Sequence, residues 1–253
     1  MNRFENKTAL ITGAADGIGR ATAQVIAAEG GTVVCADLNA NALAAVVEAI
    51  GPSAHAAPAN ALDQADVKRV MTQVLSKHPR IDILVNCVGG STIIDNPAAG
   101  IENLSLEEWQ GVLDFNLTGT FLFTQSVVPV MKSQGSGKII NLSSIAGRGL
   151  SDVSSSSYAT AKGGIIALTR KLSIELGPHG ITCNAVAPGK TMSDRIKSRW
   201  ERLSDEQKAR ALAGVPLQRF AEPEDQARVI CFLASGDADM VTGVTIDVNG
   251  GMR

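Results

Sequence analysis

Thr12-Gly13-Ala14-Ala15-Asp16-Gly17-Ile18-Gly19 lies between a short apolar run, residues 7–12, and a stretch of helical periodicity, residues 18–29. Strand, glycine loop and helix in that order decide how the remaining chain is read. Glycines at such a junction permit backbone conformations closed to other residues, and they let an anion approach the helix N-terminus, where free N–H groups and the dipole stabilise negative charge. The spacing is G-x-x-x-G-x-G, not the G-x-G-x-x-G of the general dinucleotide fingerprint, and so points to a narrower class. A purely structural turn would use the same glycines, so the next strand decides between the two.

That second strand, Thr32–Asp37, ends in a carboxylate about 20 residues past the glycines, where a dinucleotide fold places the acid that hydrogen-bonds the adenosine ribose. An ordinary helix cap for residues 40–50 is the competing role. A carboxylate there would repel the additional phosphate of NADP, and like charges about 4 Å apart in a partly dry site cost on the order of several kcal/mol. No lysine or arginine lies in the glycine loop or just after Asp37 to compensate, so NAD is preferred over NADP.

Composition narrows the class further. A chain of 253 residues, 45% of them hydrophobic, fits one α/β domain spanning residues 1–253. Aromatics at 4% and 25 glycines imply an aliphatic core with helices packed closely on a parallel sheet. A net charge of −2 gives no basic excess for nucleic acid. No apolar run reaches the roughly 18 residues of a membrane span, and the N-terminus leads into a strand rather than a signal peptide, so a cytoplasmic location is expected. Cys35, Cys87, Cys183 and Cys231 stand isolated in apolar segments and read as small buried hydrophobes. His55, His78 and His179 have no clustered partner in sequence, and no metal site is expected.

Farther along, a weak strand at 53–57 leads to Asn60-Ala61, a helix at 67–78 and a strand at 81–85. That strand runs into Asn86-Cys87-Val88-Gly89-Gly90, where small residues and an amide would sit beside a ligand at the sheet's carboxyl edge. Ser105-x-x-Glu108 is a capping box opening a long helix to about residue 131. Within it, Asn116 stands among Leu113, Phe115, Leu117, Phe121 and Leu122, either as a buried structural hydrogen-bonder or as part of a proton path. A strand at 138–143 ends beside Ser144, a glycine- and serine-rich loop comes next, and a helix at 158–176 carries Gly163-Gly164, which implies close packing there. A strand at 181–187 ends in Pro188-Gly189-Lys190-Thr191, a charged and weakly periodic segment at 190–220 reads as a mobile cover, and a helix at 223–234 and a strand at 244–248 complete the pattern.

The 158–176 helix opens with Tyr158-Ala159-Thr160-Ala161-Lys162, which contains the chain's one tyrosine. A four-residue spacing stacks phenol and ammonium on one helical face. A phenol with a reference pKa near ~10 is ionised in only about one molecule in a thousand at neutral pH, and a fixed positive charge nearby lowers that pKa.

Taken together, the Thr12–Gly19 loop, Asp37, Asn86 to Gly89, Asn116, Ser144, Tyr158-x-x-x-Lys162 and Pro188-Gly189 resemble the short-chain dehydrogenase/reductase family, in the right order over essentially the whole chain. The resemblance implies a single-domain, Rossmann-like doubly wound α/β fold with a parallel seven-stranded sheet flanked by helices. It implies a catalytic set in which Tyr158 is the acid/base, Ser144 bonds the same substrate oxygen, Lys162 lowers the phenol pKa and holds the nicotinamide ribose, and Asn116 supports a water leading to Lys162. It implies cofactor contacts from Gly13, Asp16, Gly17, Ile18, Gly19, Asp37, Leu38, Asn60, Ala61, Asn86, Val88, Gly89, Tyr158, Lys162, Pro188, Gly189 and Thr191, with Ser193 as the alternative to Thr191 at the carboxamide. It also implies a homotetramer, or a dimer, acting on a small-molecule substrate. Two departures stand out: Cys87-Val88 where the family commonly has Asn-Ala, and Asn60 where an aspartate commonly bonds the adenine.

The leading functional expectation is an NAD-dependent secondary-alcohol dehydrogenase acting on a small polar alcohol, because segments 91–102 and 149–157, expected to line the pocket, are polar and rich in small residues. A 3-oxoacyl-thioester reductase and a non-catalytic dinucleotide-binding scaffold are the alternatives. The intact Ser144, Tyr158 and Lys162 set speaks against the scaffold.

Overall fold

The computed structural model describes residues 2–91, 93–151 and 154–252, with the side chain of Arg195 outside the description. Thr92, Asp152 and Val153, within the two segments expected to line the pocket, therefore lie outside the described residues.

Strand and helix alternate from the first element. β1 (Thr8–Thr12) leads to α1 (Gly17–Ala28), β2 (Thr32–Asp37) to α2 (Ala40–Ile50), and β3 (Ala54–Pro58) to α3 (Gln64–Lys77). After β4 (Ile83–Asn86) come α4 (Leu106–Leu113) and α5 (Gly119–Gln134), then β5 (Gly137–Leu142), α6 (Ser156–Leu176) and β6 (Ile181–Pro188). α7 (Asp194–Glu201), α8 (Asp205–Leu212), α9 (Pro223–Ala234) and β7 (Thr245–Val248) finish the chain. The strands pair in parallel in the order β3-β2-β1-β4-β5-β6-β7, which is the sheet expected from the sequence.

Both faces of this sheet are covered, so its inner strands are buried along nearly their whole length, whereas the edge strands β3 and β7 are partly exposed. Ile11, Val33, Cys35, Val85, Ile140 and Val186 point into one layer with Ala23 and Ile26 of α1, Leu43 of α2 and Ile230 of α9. Leu10, Val34, Leu84, Ile139 and Cys183 point into the other, with Val70 of α3, Phe123 and Val127 of α5 and Leu176 of α6. Each such side chain, fully removed from water, contributes roughly 1.5–3 kcal/mol before chain entropy is set against it.

Several expectations are modified by local chemistry. The capping box at α4 forms as read, with Ser105 Oγ accepting from Glu108 N–H at 3.1 Å and Glu108 Oε2 accepting from Ser105 N–H at 2.9 Å. The helix it opens is not regular to its end, because Asp114–Thr118 is a π turn joining α4 to α5. Segment 190–220, read as weakly periodic, instead holds α7 and α8. The second has its own capping box between Ser204 and Gln207, a legible signal obscured by the charged composition. α6 starts two residues before Tyr158 because Ser155 caps it, its hydroxyl accepting from Tyr158 N–H at 3.3 Å. Gly164 does pack closely, with Leu117 Cδ2 3.0 Å from the position a β-carbon would take. His55 and His78, read as unpartnered, lie with ring centroids 4.7 Å apart, and burial, His55 and Lys77 together hold His78 below the usual imidazole range.

Candidate active site

In the order β3-β2-β1-β4 the winding reverses between β1 and β4, and the carboxyl ends of these two strands open a crevice there. The chain turns sharply out of β1. Gly13 sits at φ +65°, and a β-carbon on it would lie 3.0 Å from the backbone of Cys87 after β4. Gly17 has φ +52°, and a β-carbon on Gly19 would reach 2.1 Å from the Gly13 carbonyl oxygen, so only glycine lets the loop fold onto its own helix. The first-turn N–H groups of α1, which lack carbonyls within the helix, open at this point, beside Asp16, whose carboxylate accepts from Gly17 N–H at 2.6 Å.

Asp37 has two functions that its sequence position could not separate. Its Oδ2 accepts from Ala15 N–H at 3.1 Å, latching the glycine loop, and its Oδ1 accepts from Asn39 N–H at 2.9 Å. The same carboxylate lines the cleft beside Leu38. Asn39, not Asp37, caps α2. Asn60 turns the chain by accepting from Leu62 N–H at 3.0 Å and faces the cleft with Ala61.

At the other end of the cleft the reactive groups converge. Lys162 is 3% exposed and donates from Nζ to the Leu142 carbonyl at 2.8 Å; burial lowers its pKa from 10.5 to about 8, with the Cys87 thiol opposing slightly. Its Nζ lies 5.8 Å from the Tyr158 ring centroid. Ser143 pins this turn of α6 by donating to the Lys162 carbonyl at 2.8 Å. Ser144 Oγ accepts from Ala146 N–H at 3.2 Å, which leaves its own proton to donate to a bound oxygen. Gly89, at φ +149°, leaves the space in which a β-carbon would stand 2.6 Å from Asn116 Oδ1 and 2.9 Å from Lys162 Nζ. Burial pushes the Cys87 thiol up to about 12, so it stays neutral beside the ammonium.

The cleft encloses about 1080 Å³ and is lined by every residue expected to bind cofactor except Asn86, and by Ser144. The Asn86 side chain turns into the sheet instead. It lies 1% exposed there, donating to Asn141 Oδ1 at 2.9 Å and Thr124 Oγ1 at 3.1 Å, because it stands in register with Asn141 on β5. The amide of Asn116 is also withdrawn from the cleft. It is fully buried and grips Gly90 from both sides, accepting from its N–H at 2.9 Å and donating to its carbonyl at 3.0 Å, with a second donation to Val112 O. These bonds make Asn116 a buried structural hydrogen-bonder. They seat the Gly89-Gly90 turn against Lys162.

Thr191 and Ser193 separate in space. Ser193 Cβ lies 3.7 Å from where a β-carbon on Gly17 would be, at the glycine-loop end, whereas Thr191 sits at the strand end by Gly189, its hydroxyl 3.3 Å from the Gly189 carbonyl. Cys87 and Leu150 line the cleft from the two segments expected there, whereas Ile196 and Trp200 of α7 and Leu203 just after it form an apolar side that the charges of α7 had hidden.

A dinucleotide fits this cradle: the glycine positions exclude side chains at the helix N-terminus, a carboxylate stands at one end of a long cleft, and a buried ammonium stands at the other. Comparison with known proteins agrees. The sequence profile of the family described as Enoyl-(Acyl carrier protein) reductase matches residues 13–253. The chain is 39% identical to the 3-oxoacyl-[acyl-carrier-protein] reductase FabG of Thermotoga maritima over 253 residues, covering 99% of each chain. It is 37% identical to the 7alpha-hydroxysteroid dehydrogenase of Bacteroides fragilis over 257 residues, covering 100% of this chain and 96% of that one. The crystal structure of a 3-oxoacyl-[acyl-carrier protein] reductase with bound NAD from Brucella melitensis superposes with a TM-score of 0.88 at 32% identity, covering 99% of this chain and 92% of that one. Fold order, cleft geometry and similarity over nearly the full length lead to one conclusion: the chain belongs to the short-chain dehydrogenase/reductase family of oxidoreductases.

Proposed function

We propose that the protein is an NAD(H)-dependent reductase that interconverts a 3-oxoacyl thioester and its 3-hydroxyacyl counterpart. The observation that carries the chemistry is the buried Lys162 ammonium beside the Tyr158 ring, at the end of a cleft that also holds the Ser144 hydroxyl. NAD, when bound, supplies the hydride acceptor or donor. The first-turn N–H groups of α1 would hold its pyrophosphate, Asp37 its adenosine ribose, and Lys162 and Thr191 its nicotinamide end.

Within that frame the chain's own groups manage one proton and one oxygen. Tyr158 Oη gives the proton to the carbonyl oxygen in reduction and takes it from the hydroxyl in oxidation. Ser144, one lone pair taken by Ala146 N–H, donates to the same oxygen. Lys162, still an ammonium at neutral pH, favours the ionised phenol, and Asn116 serves this by fixing the Gly89-Gly90 turn that faces it. Residues 190–220 cover the reacting end, excluding water.

The expectation of a compact polar alcohol gives way here. Leu150, Ile196, Trp200 and Leu203 give the cleft an apolar wall beside the polar Ser91, Asn96 and Ser151, which suits an acyl chain joined to a polar thioester better than a polyol. The reductase names of the relatives support the same choice. An apolar ring alcohol is the second reading, favoured by the same wall and by the hydroxysteroid dehydrogenase relative. Steady-state NADH oxidation with short and medium 3-oxoacyl thioesters, set against NAD reduction with polyols and hydroxysteroids, separates the three. Turnover confined to polyols would refute the thioester reading.

Asp37 provides the cofactor test. NADH is expected to bind at least about tenfold more tightly than NADPH, the equivalent of roughly 1.4 kcal/mol of charge repulsion, and Asp37→Ser is expected to erase most of that preference. Fluorescence titration with both cofactors measures it; equal affinities in the unsubstituted protein would overturn the Asp37 argument. Self-association is part of the proposal. Leu106, Phe121 and Ile174 are exposed on α4, α5 and α6, while Met240 and Val244 are exposed beside the edge strand β7, two faces that a tetramer would bury. Among the described residues no helix is long and apolar enough to cross a membrane.

A further inference from the structure

Gln226 is the least expected side chain near the cleft. It is the fourth residue of α9, fully buried like Ile230 and Cys231, which face the apolar layer. Its Nε2 makes two donations, to the Val248 carbonyl at 2.8 Å and to Thr191 Oγ1 at 3.3 Å, and its Oε1 has no partner among the described residues. A buried amide acceptor left unmet is unfavourable, so fold stability does not account for a glutamine here. The Val248 carbonyl does not depend on it, since it already accepts from Gly189 N–H at 3.1 Å.

The geometry around Thr191 gives the amide a function. The cover segment leaves and rejoins the body at one place, where Thr191 bridges to Ala221, with Met192 N–H donating to the Ala221 carbonyl at 2.8 Å and Ala221 N–H to the Lys190 carbonyl at 3.2 Å. Gln226 lies behind that neck and links it to the end of β7. By donating to Thr191 Oγ1 it occupies one lone pair, and the hydroxyl gives its proton to the Gly189 carbonyl at a long 3.3 Å, a bond that a better-placed ligand acceptor can replace. A threonine hydroxyl held in this way on the cleft wall is presented as a donor, suited to the carbonyl oxygen of a carboxamide.

We propose that Gln226 is a positioning residue that fixes Thr191 as a hydrogen-bond donor to the nicotinamide carboxamide. This rests on the reading of the cleft as an NAD site. Gln226 never touches the ligand, and its effect is confined to the nicotinamide end of the cleft.

ADP-ribose, which shares every part of NADH except the nicotinamide, isolates the effect. Calorimetric or fluorescence titration of Gln226→Leu with NADH and with ADP-ribose is expected to give about a fivefold loss of NADH affinity, the worth of roughly one hydrogen bond, with ADP-ribose affinity unchanged. Thr191→Val is expected to reproduce this loss, and the double variant to lose no more than either single one. The thermal midpoint of Gln226→Leu should equal or exceed that of the unsubstituted protein, since its unmet acceptor is gone. Equal losses for both ligands, no loss for either, or additive losses in the double variant would overturn the proposal while leaving the NAD reading in place. Failure of the unsubstituted protein to bind either ligand would overturn both.

Discussion

Lys162→Met is expected to stabilise the cofactor-free protein by about 2 kcal/mol and to abolish turnover. The two effects have one origin. Burial lowers the Lys162 pKa from 10.5 to about 8, so at pH 7 the folded protein carries a charge whose confinement costs roughly 3 kcal/mol at about 1.4 kcal/mol per unit. A methionine of similar shape removes that cost, less the donation to the Leu142 carbonyl that it forfeits. Because the folded pKa lies below the unfolded one, the unfolded chain holds the additional proton between about pH 8 and pH 10.5, and the unsubstituted protein gains stability as pH rises through that window. The advantage of Lys162→Met should therefore shrink from pH 7 to pH 10. Denaturant unfolding at both pH values measures it, and a variant less stable at pH 7, or a gap that widens with pH, would refute this electrostatic account.

Tyr158→Phe is expected to lower turnover by about 10³-fold while leaving NADH affinity within a few-fold. Loss of a positioned acid/base commonly costs about 10²–10⁴ in rate. The ring stays beneath Lys162 Nζ, at the 5.8 Å contact, so the packing that shapes the nicotinamide end survives. Steady-state kinetics and NADH titration on one preparation separate the two effects. Turnover within tenfold of the unsubstituted protein would remove Tyr158 from the reaction.

The topology was legible because parallel strands buried on both faces make short uninterrupted apolar runs, and because glycine has one dominant use at a strand-to-helix turn. Gly13, Gly17 and Gly19 are needed for the reason their spacing suggested. Asp37 was legible in position but not in its second function, since a hydrogen bond to Ala15 N–H depends on how a loop 22 residues earlier folds back. The amides were harder. Asn86 and Asn116 lie in apolar stretches and Gln226 among charges, and sequence alone does not say whether such an amide faces a ligand or another buried polar group. Asn86 finds Asn141 through strand register, Asn116 finds Gly90 through a π turn that no heptad or 3.6-residue pattern encodes, and Gln226 finds Thr191 across the neck of the cover. The apolar wall of the cleft was hidden because α7 is dominated by charges, and one tryptophan and one isoleucine among them gave too little periodicity to show a face.

The most direct measurement of the central claim is to follow the transferred atom. Purified protein, a 3-oxoacyl thioester and NADH deuterated at the transferable position are incubated at neutral pH, and the product is analysed by mass spectrometry and NMR. The account predicts a 3-hydroxyacyl thioester carrying one deuterium on the carbinol carbon, formed by the unsubstituted protein and not by Tyr158→Phe. Reduced product without deuterium at that carbon, or no reduction of any thioester under conditions where the protein binds NADH, would contradict it.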